Sequence, residues 1–315
     1  MDRVLDAIEA FFDRLTEVDF RFVALAICCH LLKGMCTSRA WRNTLAAAYP
    51  DEEVPWPRIY AAYLAGIGVN ALMPFRGGDV VKLGLAHRAI PGATYVTLAS
   101  SLLVLAIVDS VVALGFFAYA LTQHVLPSFA SLPDLPSFDY HLPLEHPRVS
   151  AVIVVTLLVL LVLGAVKAKR ELDEFKARVR QGVIVLTDRW RYLRTVALWQ
   201  LGDWTLRLLT VACFLAAFGI DVTVRNVLLV QVTQSLATLV PVSPAGIGTE
   251  QAFIVYVFRG TVAGSKLLAF SVGMKLTLVA TNVVVGFTAL ALTLRTLNVG
   301  SFLRRRRNEE APAES

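Results

Sequence analysis

Residues 93–121 contain one charged side chain, Asp109, in an otherwise apolar run. That run exceeds the roughly 20 residues needed to cross the hydrocarbon core of a bilayer. Further apolar blocks lie at 20–37, 149–166, 195–218 and 264–294. A water-soluble domain could not cover so many of them, because charged residues are only 17 % of the chain and apolar ones 56 %. About a quarter of an ordinary soluble domain is charged. The mean hydropathy is +0.63. The blocks lack period-two alternation, which argues against a transmembrane β-barrel. A spanning segment must satisfy its own backbone hydrogen bonds, so the blocks are predicted to be helices.

Other segments are polar. Residues 1–19 read as an amphipathic helix, with Val4, Leu5, Ile8, Phe11, Phe12 and Leu15 set against Asp2, Asp6, Glu9 and Asp13. They have neither a basic leader nor a long apolar core, so a secretory signal peptide is not expected. Residues 122–148 form a loop with five prolines, and 149–166 link it to a basic segment at 167–194. That segment carries Lys167, Lys169, Arg170, Lys176, Arg178, Arg180, Arg189, Arg191 and Arg194, and the tail carries Arg304 to Arg307. Positive loops stay cytoplasmic, so 167–194 and the C-terminus are placed inside and the acidic 122–148 loop outside. Arg39, Trp41 and Arg42 read as an anchor at the inner face. Residues 295–315 read as a basic, disordered tail. These loops account for the net charge of +6. No basic soluble domain is present, so nucleic acid is not an expected partner.

Two apolar segments are short and break at proline and glycine. The first break runs Asn70-Ala71-Leu72-Met73-Pro74-Phe75-Arg76-Gly77-Gly78-Asp79. The second runs Pro241-Val242-Ser243-Pro244-Ala245-Gly246-Ile247-Gly248-Thr249-Glu250. Proline removes a backbone donor, and glycine lets the chain reverse or another group come close. A new helix then starts near Asp79 or Glu250, where an acid suits the positive helix end. Interrupted hydrophobic segments in corresponding places of two halves are the best sequence pointer to a transporter site. The expected fold is therefore an all-α polytopic integral membrane protein. It has an inverted repeat, 20–121 against 195–294, with two broken, re-entrant helical hairpins.

Ionisable residues at membrane depth are costly and usually functional. Asp109 sits in one span, Asp203 and Arg207 lie four apart on another, and Lys275 lies inside the last. Asp203 and Arg207 can pair on one helix face. Arg76, Lys82 and Lys275 are candidates to attract an anionic head group toward the exposed helix starts. Alternatively, Asp109 or Glu250 neutralises Lys275 or Arg76 and fixes packing. Cys28, Cys29, Cys36 and Cys213 fall in spans and read as packing residues. The histidines lack metal-ligand spacing, and no metal or cofactor is expected. No nucleophile motif, P-loop or dinucleotide fingerprint occurs, so the chain does not read as an enzyme.

At the two breaks the chain resembles the flippase-like transmembrane region of lysylphosphatidylglycerol synthases, also found as stand-alone YbhN-type and AglD-type membrane proteins. Asn70, Pro74, Arg76, Gly78 and Asp79 match that family's first motif, and Pro241, Ser243, Pro244, Gly246, Gly248 and Glu250 its second. Arg39-Ala40-Trp41-Arg42 resembles its basic-Trp segment, and Asp109 falls on an aspartate of its third element. The chain departs at Ala106, Ala245 and Lys275, and without the soluble aminoacyl-transfer domain of the full synthases in this sequence, lysyl transfer to phosphatidylglycerol is not expected. The resemblance implies movement of an anionic phospholipid, or of a polyprenyl-phosphate-linked glycan, between leaflets. Its head group would meet Asn70, Pro74, Arg76, Gly77, Gly78, Asp79, Ser243, Pro244, Gly246, Gly248, Glu250 and Lys275. Asp109, Asp203 and Arg207 would orient the basic groups. The alternative is a non-transporting accessory subunit that scaffolds a glycosyltransferase or lipid-modifying enzyme through the basic segment.

Overall fold

The computed structural model describes residues 18–73, 77–122, 169–239, 249–258 and 261–309, and these are helical with no strand among them. In chain order the helices are α1 (Phe20–Ala48), α2 (Trp56–Leu72), α3 (Gly77–Ala89), α4 (Tyr95–Thr122) and α5 (Lys169–Gly182). There follow α6 (Arg189–Tyr192), α7 (Leu198–Ala217), α8 (Val224–Leu239), α9 (Thr249–Val257) and α10 (Gly264–Glu309). A single π-helical turn, Leu193–Ala197, joins α6 to α7. Three stretches among the described residues are long and apolar enough to cross a membrane: Phe20–Ala48, Tyr95–Phe116 and Gly264–Arg295. Exposed Leu103, Val111 and Leu114 on α4, and Leu276, Val284 and Leu292 on α10, suit contact with lipid tails.

The 17 residues of α2 reach about 26 Å at 1.5 Å per residue. That is short of the ~30 Å hydrocarbon core. The 13 residues of α3, 16 of α8 and 9 of α9 are shorter still. These four pack as two pairs, α2 on α3 and α8 on α9. The pairs join across 74–76 and 240–248, so Pro74, Arg76, Ser243, Pro244, Gly246 and Gly248 lie outside the described residues, as do 1–17 and the 123–168 stretch.

Several boundaries differ from the sequence expectation. Helix α1 continues past residue 37 to Ala48, because Pro50 is the next residue that must end it. Trp41 is thereby carried inside, 1 % exposed, where its indole N–H donates to Ser101 Oγ at 2.9 Å. It is a core residue, not an interfacial anchor. Its neighbour Arg39 lies over the Trp56 ring, and Arg42 donates to the Val54 carbonyl. The basic segment is not a plain loop: α5 is a strongly amphipathic helix that packs on α4. Helix α10 continues to Glu309, through most of the tail expected to be disordered.

The helix starts at 20, 56, 77 and 95 recur at 189, 224, 249 and 264, a separation of 168–172 residues. The packing recurs as well. Helix α2 packs on α10, and α8 on α4; α1 packs on α2, and α7 on α8. The largest interface joins α1 to α7. Asp19 N–H donates to the Ala217 carbonyl, Thr37 to Asp203, and Asn43 to the Thr195 carbonyl. Positions rise on α1 as they fall on α7, so the two helices are antiparallel. Each set of helices has its own core. One centres on Trp41, Leu45, Ile59 and Leu98 and borrows Val196 from the start of the other set. The other centres on Phe214, Phe258 and Phe270 and borrows Ala26 from α1.

Candidate functional site

Both breaks bring a carboxylate to a new helix start, and each carboxylate is held by one lysine and one carboxamide. At the first, Asp79 pairs with Lys82 at 3.0 Å and accepts from Asn70 Nδ2 at 3.3 Å. At the second, Glu250 is 4 % exposed, pairs with Lys275 at 2.9 Å and accepts from Gln234 Nε2 at 3.0 Å. Lys82 also sits over the Trp41 ring. The Glu250–Lys275 pair is the packing alternative read from sequence; Lys82, paired with Asp79, was not part of that alternative.

Gly78 answers a further expectation. Its N–H donates to Asn70 Oδ1 at 2.7 Å. A Cβ added there would strike the Gly66 carbonyl and come within 2.7 Å of Asn70 N. The group that approaches this glycine closely is α2's own backbone, not a ligand, and its amide is already in use. Gly77 has only the flexible Met73 side chain nearby.

The open space lies elsewhere. A cavity of about 440 Å³ is lined by α1, α4, α7, α8 and α10. Its polar lining comes from His30 and Lys33 on α1, Asp109 on α4, Arg207 on α7, and Gln231 and Gln234 on α8. Ala113, Phe116, Val211 and Leu278 supply apolar wall, and Met274 fills in beside Gln234. Gln234 links this cavity to the Glu250–Lys275 pair.

The charges here are unevenly satisfied. Arg207 pairs with Asp203 at 3.0 Å, and its guanidinium stacks over the Trp204 ring at 4.3 Å. Asp203, 2 % exposed, also accepts from the Thr37 hydroxyl. Asp109 accepts from Trp204 Nε1 at 3.0 Å and from no other described residue. His30 Nε2 lies 2.8 Å from Asn282 Oδ1, which fixes the ring between α1 and α10. Buried Arg207 Nε and Gln231 Oε1 have no hydrogen-bond partner among the described residues. The Lys33 ammonium lines the cavity and makes neither hydrogen bond nor ion pair to a described residue. Polar groups taken out of water without partners are costly, so such a site is built to receive one.

Of the three residues expected to orient basic groups, Asp109 and Arg207 line the cavity and Asp203 is paired to Arg207. Lys33, His30 and Gln231 were missed. The available signal was Lys33 itself, an ionisable residue thirteen positions into a helix of 29 and three from His30.

Among the described residues no cluster of histidine, cysteine or acid could hold a metal ion. What the helices and cavity define is a polytopic helical membrane protein with a charged chamber among its spans. The chain belongs to the family described as the lysylphosphatidylglycerol synthase TM region, which it matches over residues 5–286. It is also similar to the UPF0104 membrane protein PH1989 of Pyrococcus horikoshii, 23 % identical over 302 residues and covering 85 % of each chain. No solved structure matches it.

Proposed function

We propose that the protein is a non-catalytic, flippase-like transporter of the cell membrane. It would move a phosphate-bearing lipid, a phospholipid or a polyprenyl-phosphate-linked glycan, between leaflets, with its C-terminus in the cytoplasm. The observation that carries this reading is the chamber lined by Arg207 and by Lys33, whose ammonium has no hydrogen-bond or ion-pair partner among the described residues. Two cationic side chains at membrane depth match a phosphate, which offers several acceptors at once. Lipid tails would remain in the bilayer while the head group occupies the chamber.

The repeated helix order and packing support an inverted repeat. Two antiparallel helices exchanged by a two-fold axis require that axis to be perpendicular to them. For membrane spans such as α1 and α7, that axis lies in the membrane plane. The two equivalent lateral interfaces are in different states, which supports alternating access. At α2–α10 the backbones touch through Gly68 and Gly286, whereas at α4–α8 the chamber lies between the helices. Exchanging the two states would close the chamber and open its mate on the opposite side.

Reconstitution in liposomes with a leaflet-specific fluorescent lipid tests the reading. Added protein should speed transfer, and Lys33→Gln with Arg207→Gln should slow it at least tenfold. Transfer no faster than in empty liposomes would end the proposal. The accessory-subunit alternative draws on the exposed Phe175 and Trp190 beside Arg178, Arg189 and Arg191. Co-purification of a lipid-modifying enzyme that is lost on substituting those five residues, with normal function of Lys33→Gln, would favour it.

A further inference from the structure

The chamber's free charges come as an opposed pair. Lys33 on α1 offers an ammonium with no partner among the described residues, and Asp109 on α4 offers a carboxylate whose described contact is one neutral donor, Trp204 Nε1. The remaining charges, Arg207 and Asp203, satisfy one another at 3.0 Å, and Glu250 and Lys275 do the same beyond Gln234. The formal charges of the described residues around the chamber therefore cancel. A lipid with a net negative head group would leave that charge uncompensated at membrane depth, where it is costly. A head group with one phosphate and one ammonium would leave none. Its phosphate has the cations of Lys33 and Arg207 on the chamber wall, and its ammonium has Asp109. The Phe116 ring, 5.3 Å from that of Trp204, suits a cation as well.

From this pairing we infer that the chamber's ligand is a zwitterionic phosphodiester lipid with a single primary ammonium, of the phosphatidylethanolamine class. The inference rests on the transport reading and names its substrate. The volume fits: about 440 Å³ is within the range that holds a small-molecule group and leaves acyl chains outside. A lipid-linked glycan or a polyprenyl diphosphate matches neither the size nor the charge.

The test uses the full-length protein in liposomes of neutral phosphatidylcholine. Three acyl-labelled probes are compared: phosphatidylethanolamine, phosphatidylglycerol, and phosphatidylethanolamine with its amine acetylated. The ethanolamine probe should cross at least tenfold faster than either anionic probe. Asp109→Asn should remove that preference, lowering the ethanolamine-to-glycerol rate ratio tenfold or more. Lys33→Gln should slow all three. Equal rates for the three probes, or a faster glycerol probe, would overturn the zwitterion assignment and leave transport standing. Retained preference in a folded Asp109→Asn protein would also overturn it. If no probe moves, the transport reading fails as well. The acetylated probe needs no variant, so the inference stays testable even where Asp109→Asn does not fold.

Discussion

Replacing Gly286 by alanine should move the protein between its two states. The new Cβ would stand 2.5 Å from Gly68 Cα, 2.7 Å from the Leu64 carbonyl and 2.8 Å from Gly68 N. All three atoms belong to α2's backbone, so no rotamer change relieves the contact. Ordinary Cβ contacts begin near 3.4 Å, so α2 and α10 must part by about 1 Å. Overpacking of this kind costs about 1–3 kcal/mol. If the alternate state separates α2 from α10, the penalty falls on the present state alone. A differential of that size shifts a two-state equilibrium about 5- to 150-fold. The assay is a distance measurement between spin labels at Ala113→Cys and Val232→Cys, which face the chamber from α4 and α8, in a background where Cys28, Cys29, Cys36 and Cys213 are replaced. Gly286→Ala should enrich a shorter distance. A lower melting temperature with an unchanged distance distribution would make Gly68–Gly286 a simple packing contact and refute the two-state argument.

Other consequences are direct. Glu250→Gln or Lys275→Met alone should lower stability by about 3–5 kcal/mol, because each strands a buried charge. The double variant should recover most of that in thermal unfolding, and additive losses would argue against the pair. Trp41→Ala removes a fully buried indole and its bond to Ser101, so it should cost about 3–5 kcal/mol. An unchanged melting temperature would place Trp41 at the bilayer surface after all. Gly78→Ala drives a Cβ into the Gly66 carbonyl, so it should destabilise the α2–α3 pair more than Gly84→Ala, whose Cβ meets nothing within 4 Å. Equal melting temperatures for the two would contradict that packing.

Long apolar blocks decide membrane embedding and helix by themselves, since a bilayer allows few other solutions. The proline and glycine breaks likewise mark where α2 gives way to α3 and α8 to α9, and the acids after them are legible as paired groups. Charge within a span flagged Asp109, Asp203 and Arg207 before any packing was known. Local sequence does not say which cation is already taken. Lys82 and Lys275 looked like ligand-binding groups until Asp79 and Glu250 were found 3.0 and 2.9 Å from them. Lys33 looked like one more residue of an early helix until α4, α7 and α8 left it facing a chamber without a partner. The fate of Gly78 was equally hidden, because only packing reveals that α2's backbone fills the space above it. The sequence alone determined the solvent, the helices and their interruptions, all of which follow from local hydropathy and backbone chemistry. Tertiary structure alone decided which charges are satisfied and where the free space lies. Ion pairing and cavities depend on side chains from helices far apart in the chain.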